Sequence, residues 1–206
     1  MEAAATPTRD RILFAAAELF RRQGYAGTGL KQVVGEAHAT FGSLYHHFPG
    51  GKQQLADEVV RTGGAFFAAL VTAVYDAEDS PEASVRAVFT GAADTLAATD
   101  FQDACPIATI ALEVASTDEA LRQATAEVFT AWTDGLAERL GDRTAALAVL
   151  AALEGAFVLC RAQRSVEPML AAGNVMCTYV AHATASVRAK SSPLNSSGSP
   201  VARASA

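Results

Sequence analysis

The residues with most to offer chemically lie between 28 and 52, TGLKQVVGEAHATFGSLYHHFPGGK. Ser43, Tyr45 and His46 bring hydroxyl or imidazole donors of the kind that grip phosphate oxygens. Lys52 adds charge from one side, and Thr28 and Lys31 add donors and charge from the other. Thr40 sits where a helix would begin, so its free N–H groups and the helix dipole favour an anion. Phe41 and Gly42 come next, first in line for base edges. A phenyl ring packs on a thymine methyl, and glycine lets the backbone come close. Taken singly, a tyrosine followed by histidines is ordinary half-buried packing. The ordered set, with its spacing, is what points to a helix-turn-helix entering a DNA major groove.

Three short helices have to position these groups. Ile12, Leu13, Ala16, Leu19 and Phe20 recur at helical spacing, with Thr6 or Thr8 as cap and Pro7 in the first turn. Gly24 ends that helix, and Tyr25 packs back. Thr28 caps a second helix over about 30–37, whose Leu30, Val33, Val34 and Ala37 face inward. After a turn at Ala37-His38-Ala39, a third helix over about 40–47 anchors through Leu44 and Phe48. Pro49-Gly50-Gly51 breaks the chain, and Lys52 opens a long helix. Asp76–Pro81 is a linker, and further helices are expected at about 82–98, 106–116, 118–140, 142–164 and 167–188. The first five residues read as a flexible lead, and the Ser, Pro, Ala and Gly-rich 189–206 as a disordered tail.

The bulk properties fit such a chain. Alanine, the best helix former, is abundant among 206 residues, so the expected fold is all-α with about nine helices. Net charge is −6, against expectation for a DNA binder. Residues 1–62, however, hold seven basic and six acidic side chains, and the remainder nine and sixteen. An acidic body beside a near-neutral head turns the head toward a polyanion. A head with so little charge relies on a few placed contacts and on dimerisation. Cys105, Cys160 and Cys177 lie far apart with no zinc spacing, so neither a metal nor a cofactor is expected. The N-terminus lacks a signal-peptide core, and 145–160, interrupted by Glu154, reads as too short and alanine-rich to span a bilayer. A reducing cytoplasm and no membrane partner are therefore expected. Gly63-Gly64 falls inside the long fourth helix and reads either as a hinge or as a close-packing contact.

The segments ILFAAAELFRRQGY at 12–25, TGLKQVV at 28–34 and GSLYHHFPGGKQQLADEVV at 42–60 resemble the DNA-binding domain of the TetR family of one-component repressors. The Pro-Gly-Gly-Lys exit, CPIATIALE at 105–113 and LEGAFVLCRAQRSVEPM at 153–169 resemble its lincomycin-resistance and flavonoid-responsive branch. His38 stands where the family has Gly in the turn, and Phe41 where it often has Lys or Pro.

The resemblance implies a helix-turn-helix domain at 6–52 and a ligand-binding and dimerisation domain at 53–188. It implies a homodimer joined through the last two helices, with Leu147, Leu150, Ala151, Gly155, Val158, Met169, Gly173, Met176, Cys177 and Val180 as candidates. The other reading of these residues is ordinary monomer core. It also implies a palindromic operator and a cavity for a planar, apolar effector. Candidate lining residues are Phe66, Phe67, Leu70, Phe89, Phe101, Cys105, Ile110, Glu113, Phe129, Trp132, Leu153, Glu154 and Phe157. The expected function is a ligand-responsive repressor. The alternatives are an activator or multi-promoter regulator of the same fold, and a helical small-molecule enzyme or carrier. The last lacks any nucleophile–base pair, metal set or phosphate loop in the sequence, so no catalytic residue is expected.

Overall fold

The computed structural model describes residues 6–191. Among these there are nine α-helices and no strands. Three helices form the head: α1 (Thr8–Gly27), α2 (Leu30–Glu36) and α3 (Phe41–His47). The body comprises α4 (Gly51–Ala77), α5 (Pro81–Ala98), α6 (Pro106–Val114), α7 (Glu119–Leu140), α8 (Arg143–Gln163) and α9 (Glu167–Ser191). The expected lead at 1–5 and residues 192–206 of the expected tail lie outside the described residues; 189–191 belong to α9.

Local chemistry explains the boundaries. Asp118 and Asp142 accept from Leu121 N at 3.1 Å and Thr144 N at 2.8 Å, capping α7 and α8. Ser80 caps α5 ahead of Pro81, and the Cys105 thiol caps α6 ahead of Pro106. Gly141 closes α7 at φ 70°, the left-handed conformation that glycine adopts without steric cost. Gly24 does break α1, at φ 82°, although helix resumes to Gly27. The cap expected from Thr6 or Thr8 is absent; Pro7 precedes the helix with no side-chain cap bond.

Two buried cores hold the molecule. The first runs from the head into the body: Ile12, Phe20, Val33, Leu44 and Phe48 join Leu55, Val59, Ile107, Ile110, Leu121 and Trp132. The head is thus seated on α4 and α6. The second core lies between α5, α8 and α9 and includes Phe89, Leu96, Leu153, Cys160, Met169, Cys177 and Val180. Contrary to the expectation for 145–160, α8 is long and apolar enough by length and composition to cross a bilayer, as is α4. Both instead pack within the helical bundle, α4 on α7 and α8 between α7 and α9.

Candidate nucleic-acid interface and effector cavity

The reading surface is built from α3 outward. Leu44 and Phe48 are fully buried and fix the helix on the head core. That leaves Phe41 (45% exposed), Gly42, Tyr45 (50% exposed) and His46 facing solvent on a helix without a carboxylate. Thr40 is the N-cap and accepts from Ser43 N at 3.1 Å; its Oγ1 also lies 3.1 Å from Ser43 Oγ. This local bond orders the first turn, where N–H groups favour a phosphate. Lys31 is exposed on α2. The turn between α2 and α3 holds His38 at φ 47°, the left-handed geometry required where glycine would be usual.

Two of the expected phosphate contacts stand differently. Thr28 is buried: its hydroxyl donates to Gly24 O at 2.7 Å and accepts from Gln23 Nε2 at 3.2 Å. It closes the broken end of α1 and is not free for DNA. Nor does it cap α2. Gly29 is the N-cap, and Gln32 Oε1 reaches back to accept from Gly29 N at 2.9 Å. Lys52 is half-buried, with Nζ 4.4 Å from the centre of the Tyr25 ring. Burial lowers its pKa, and the charge of Glu113 opposes that shift. Lys52 therefore stands at the head–body seam and not as a free cation.

One residue that shapes the site had no sequence signal. Arg11 Nε donates to Ala37 O at 3.0 Å, and its other nitrogens donate to Thr6 O at 2.9 Å and His38 O at 3.4 Å. One guanidinium thus pins the turn between α2 and α3.

The second candidate site is a cavity of about 580 Å³ in the body. Of the thirteen expected lining residues it gathers Phe66, Phe67, Leu70, Cys105, Trp132, Leu153, Glu154 and Phe157. Phe66 is 72% and Leu70 51% exposed, so these two sit at the mouth. Trp132 forms part of the floor, with Nε1 donating to Gly64 O at 2.8 Å. A second cavity of about 220 Å³ shares Phe67, Trp132 and Leu153 and extends to Tyr75 and Arg139. Burial raises the Tyr75 hydroxyl well above its ordinary range, against the nearby Arg139 charge.

Five expected lining residues do other work. Ile110 is fully buried in the first core. Phe89 packs in the second core, where its Cβ would lie 2.7 Å from a methyl placed on Gly173. Phe101 turns at φ 59° and packs on that same core, because the α5–α6 connection reverses there. Phe129 stacks edge-on against Trp132, with ring centres 5.6 Å apart. Glu113 crosses to the head and accepts from Tyr25 N at 3.2 Å and Ala26 N at 2.5 Å. It supplies acceptors to backbone N–H groups freed by the Gly24 break, which a polar residue in an apolar helix did not reveal.

The cavity's polar groups cluster. Asp103 pairs with Arg21 of α1, its side chain only 5% exposed. The oxygens Asp103 Oδ1 and Glu154 Oε2 are buried with no hydrogen-bond partner among the described residues. Burial pushes Glu154 up to about 7, and a hydrogen bond with Cys105 pulls the other way. Burial, reinforced by the Glu154 charge, also raises the Cys105 thiol. Among the described residues no three His, Cys, Asp or Glu side chains group to hold a metal.

The expected dimer residues divide. Leu147, Ala151, Gly155 and Val158 are exposed on α8, and Leu150 and Met176 are partly buried. Met169, Gly173, Cys177 and Val180 are instead buried within the protomer, because that side of α9 packs against α5. The solvent side of α9 carries Leu170, Val175 and Tyr179.

A helix-turn-helix head seated on a larger helical body with an internal cavity defines a class of DNA-binding regulator. Residues 12–59 match the family described as bacterial regulatory proteins, tetR family. Residues 81–175 match the LmrA/YxaF-like transcriptional regulator C-terminal domain. The chain is 32% identical over 171 residues to the HTH-type transcriptional regulator LmrA of Bacillus subtilis, covering 79% of this chain and 91% of LmrA. It is 36% identical over 174 residues to the uncharacterized HTH-type transcriptional regulator Rv0196 of Mycobacterium tuberculosis, covering 78% and 88%. Its fold is similar to the regulatory protein TetR from Rhodobacter sphaeroides, with TM-score 0.75 at 19% identity over 83% of this chain and 97% of that one. The chain belongs to the TetR family of bacterial transcriptional regulators, with a C-terminal domain of the LmrA/YxaF-like type. It is a transcriptional regulator and not an enzyme.

Proposed function

We propose that this regulator is a repressor that sits on a two-fold-symmetric operator as a homodimer and leaves it when a small molecule fills the body cavity. The observation that carries the reading is the pairing of two features. An exposed, carboxylate-free α3 is held over the head core, and a cavity of about 580 Å³ lies behind the α4–α6 seat of that head. Lys31, Tyr45, His46 and the first turn of α3 position the protein on phosphates, and Phe41 and Gly42 read base edges. Thr28 plays no direct part, and Lys52 contributes only by leaving the Tyr25 ring. Head and body divide near residue 52, and the cytoplasm is the working compartment, a reading supported by the likeness to DNA-binding regulators.

The exposed stripe of α8 and the solvent side of α9 form the dimer face. Leu147, Ala151, Gly155, Val158, Leu159, Leu170, Val175 and Tyr179 replace the buried α9 residues as its candidates. Nothing lies within 4 Å of a methyl built on Gly155, which leaves room for a second helix. Effector binding acts by its difference in affinity for two arrangements of the heads. Arg21 to Asp103 and Glu113 to α1 are the links by which the cavity wall moves a head. A mobility-shift assay on DNA flanking the protein's own gene tests this. A specific complex that weakens steeply with salt is expected. Equal binding to random DNA sinks the reading.

A further inference from the structure

We propose, resting on the effector-cavity reading above, that Asp103, Cys105 and Glu154 form a head-group site for an apolar effector bearing a protonated amine. The cavity is otherwise apolar, walled by Phe67, Trp132 and Leu153. Its acidic corner is incomplete in a particular way. Asp103 is almost wholly buried, with one oxygen held by Arg21 and the other, Oδ1, without a partner among the described residues. Glu154 Oε2 is likewise buried and unpartnered. Cys105, two residues from Asp103, lines the same cavity as Glu154, whose charge acts on its thiol. Among the described residues Arg21 is the one basic side chain lining the cavity, and its charge is already committed to Asp103 and Glu18.

Buried acceptors without donors are costly, and a buried carboxylate without a counter-charge more so. An ammonium group supplies both N–H donors and positive charge. A neutral hydroxyl satisfies an acceptor but brings no positive charge. A carboxylate on the ligand is repelled by the Asp103 charge and by the ionised fraction of Glu154. The burial that holds Glu154 near neutrality then becomes a readout, because an amine that ionises Glu154 must release its proton.

The test uses full-length protein and three isosteric probes: adamantylmethylamine, adamantylmethanol and adamantanecarboxylate. Affinities come from calorimetry and from the fluorescence of Trp132, the chain's one tryptophan. The amine is expected to bind about ten-fold or more tightly than the alcohol, as a charged hydrogen bond implies. The carboxylate is expected not to bind. Glu154→Gln should bring the amine down to the alcohol's affinity, and Glu154→Leu should do the same if the amide proves unstable. At pH 6 wild-type protein should release a proton on amine binding, seen by comparing buffers of different ionisation enthalpy, and Glu154→Gln should not. Carboxylate binding as tight as the amine, an unchanged amine affinity in both variants, or binding of none of the probes would overturn the proposal. A mobility shift on ligand-free protein is independent of these outcomes: its failure sinks the regulator mechanism and leaves the head-group preference standing.

Discussion

Replacing Gly64 with alanine should cost stability, whereas the same change at Gly63 should add it. Both glycines lie in the middle of α4, where alanine is favoured by about 1 kcal/mol. The surroundings differ. A methyl on Gly63 meets Ile107 Cδ1 at 3.5 Å, an ordinary contact. A methyl on Gly64 meets Val128 Cγ1 at 2.6 Å and Cγ2 at 2.9 Å, so something must move. Valine is stiff at χ1, so relief has to come from pushing α7 away from α4. That movement stretches the bond from Trp132 Nε1 to Gly64 O, now 2.8 Å. Overpacking of this kind costs about 1–3 kcal/mol, which cancels or exceeds the helix gain. Gly63→Ala should therefore raise the melting temperature by about 2–4 °C, and Gly64→Ala should leave it unchanged or lower it by up to about 8 °C. Gly64→Ala combined with Val128→Ala should recover part of the loss. Circular-dichroism melts decide it. A rise for Gly64→Ala equal to that of Gly63→Ala would refute the reasoning and reopen the pair as a hinge.

Three further outcomes rest on Glu154, Thr28 and Val158. Because Glu154 ionises near 7 in the folded protein against about 4.5 unfolded, the native state holds the extra proton between those values. Stability should fall as pH rises from about 4.5 to about 7, by up to about 3 kcal/mol, and Glu154→Gln should remove that slope in denaturant titrations. Thr28→Val should destabilise by about 1–3 kcal/mol, since Gly24 O loses its donor, without changing the salt slope of DNA binding; a reduced slope would restore Thr28 as a phosphate contact. Val158→Asp, on the exposed stripe of α8, should shift sedimentation from dimer to monomer, and an undisturbed dimer would move the interface elsewhere.

Much of this was legible in the chain because local rules agreed with one another. Apolar spacing and chain breaks anticipated the nine helices found among the described residues, with ends within about three residues. The exposed face of α3 could be read because Leu44 is the single buried residue within it. What sequence could not show was which neighbour a helix turns toward. On α9, four apolar or small residues expected at a dimer seam face α5, since a lone helix pattern does not say which of two apolar partners it meets. Thr28 looked like a cap because it precedes a helix, but a break four residues earlier offered its hydroxyl a carbonyl. Glu113 and Arg11 owe their roles to backbone groups far away in sequence, which no periodicity encodes.

In the proposed function, two α3 helices of a symmetric dimer read DNA through Phe41 and Gly42 and hold it through Tyr45 and its neighbours. A hydroxyl-radical footprint on the fragment upstream of the protein's own gene tests it most directly, comparing wild type with Phe41→Ala and Tyr45→Phe. Two protected patches related by a two-fold axis are expected. Protection should weaken at unchanged positions for Tyr45→Phe, and sequence preference should change for Phe41→Ala. A single unsymmetrical patch, or a Phe41→Ala footprint that fades equally on specific and random DNA, would contradict it.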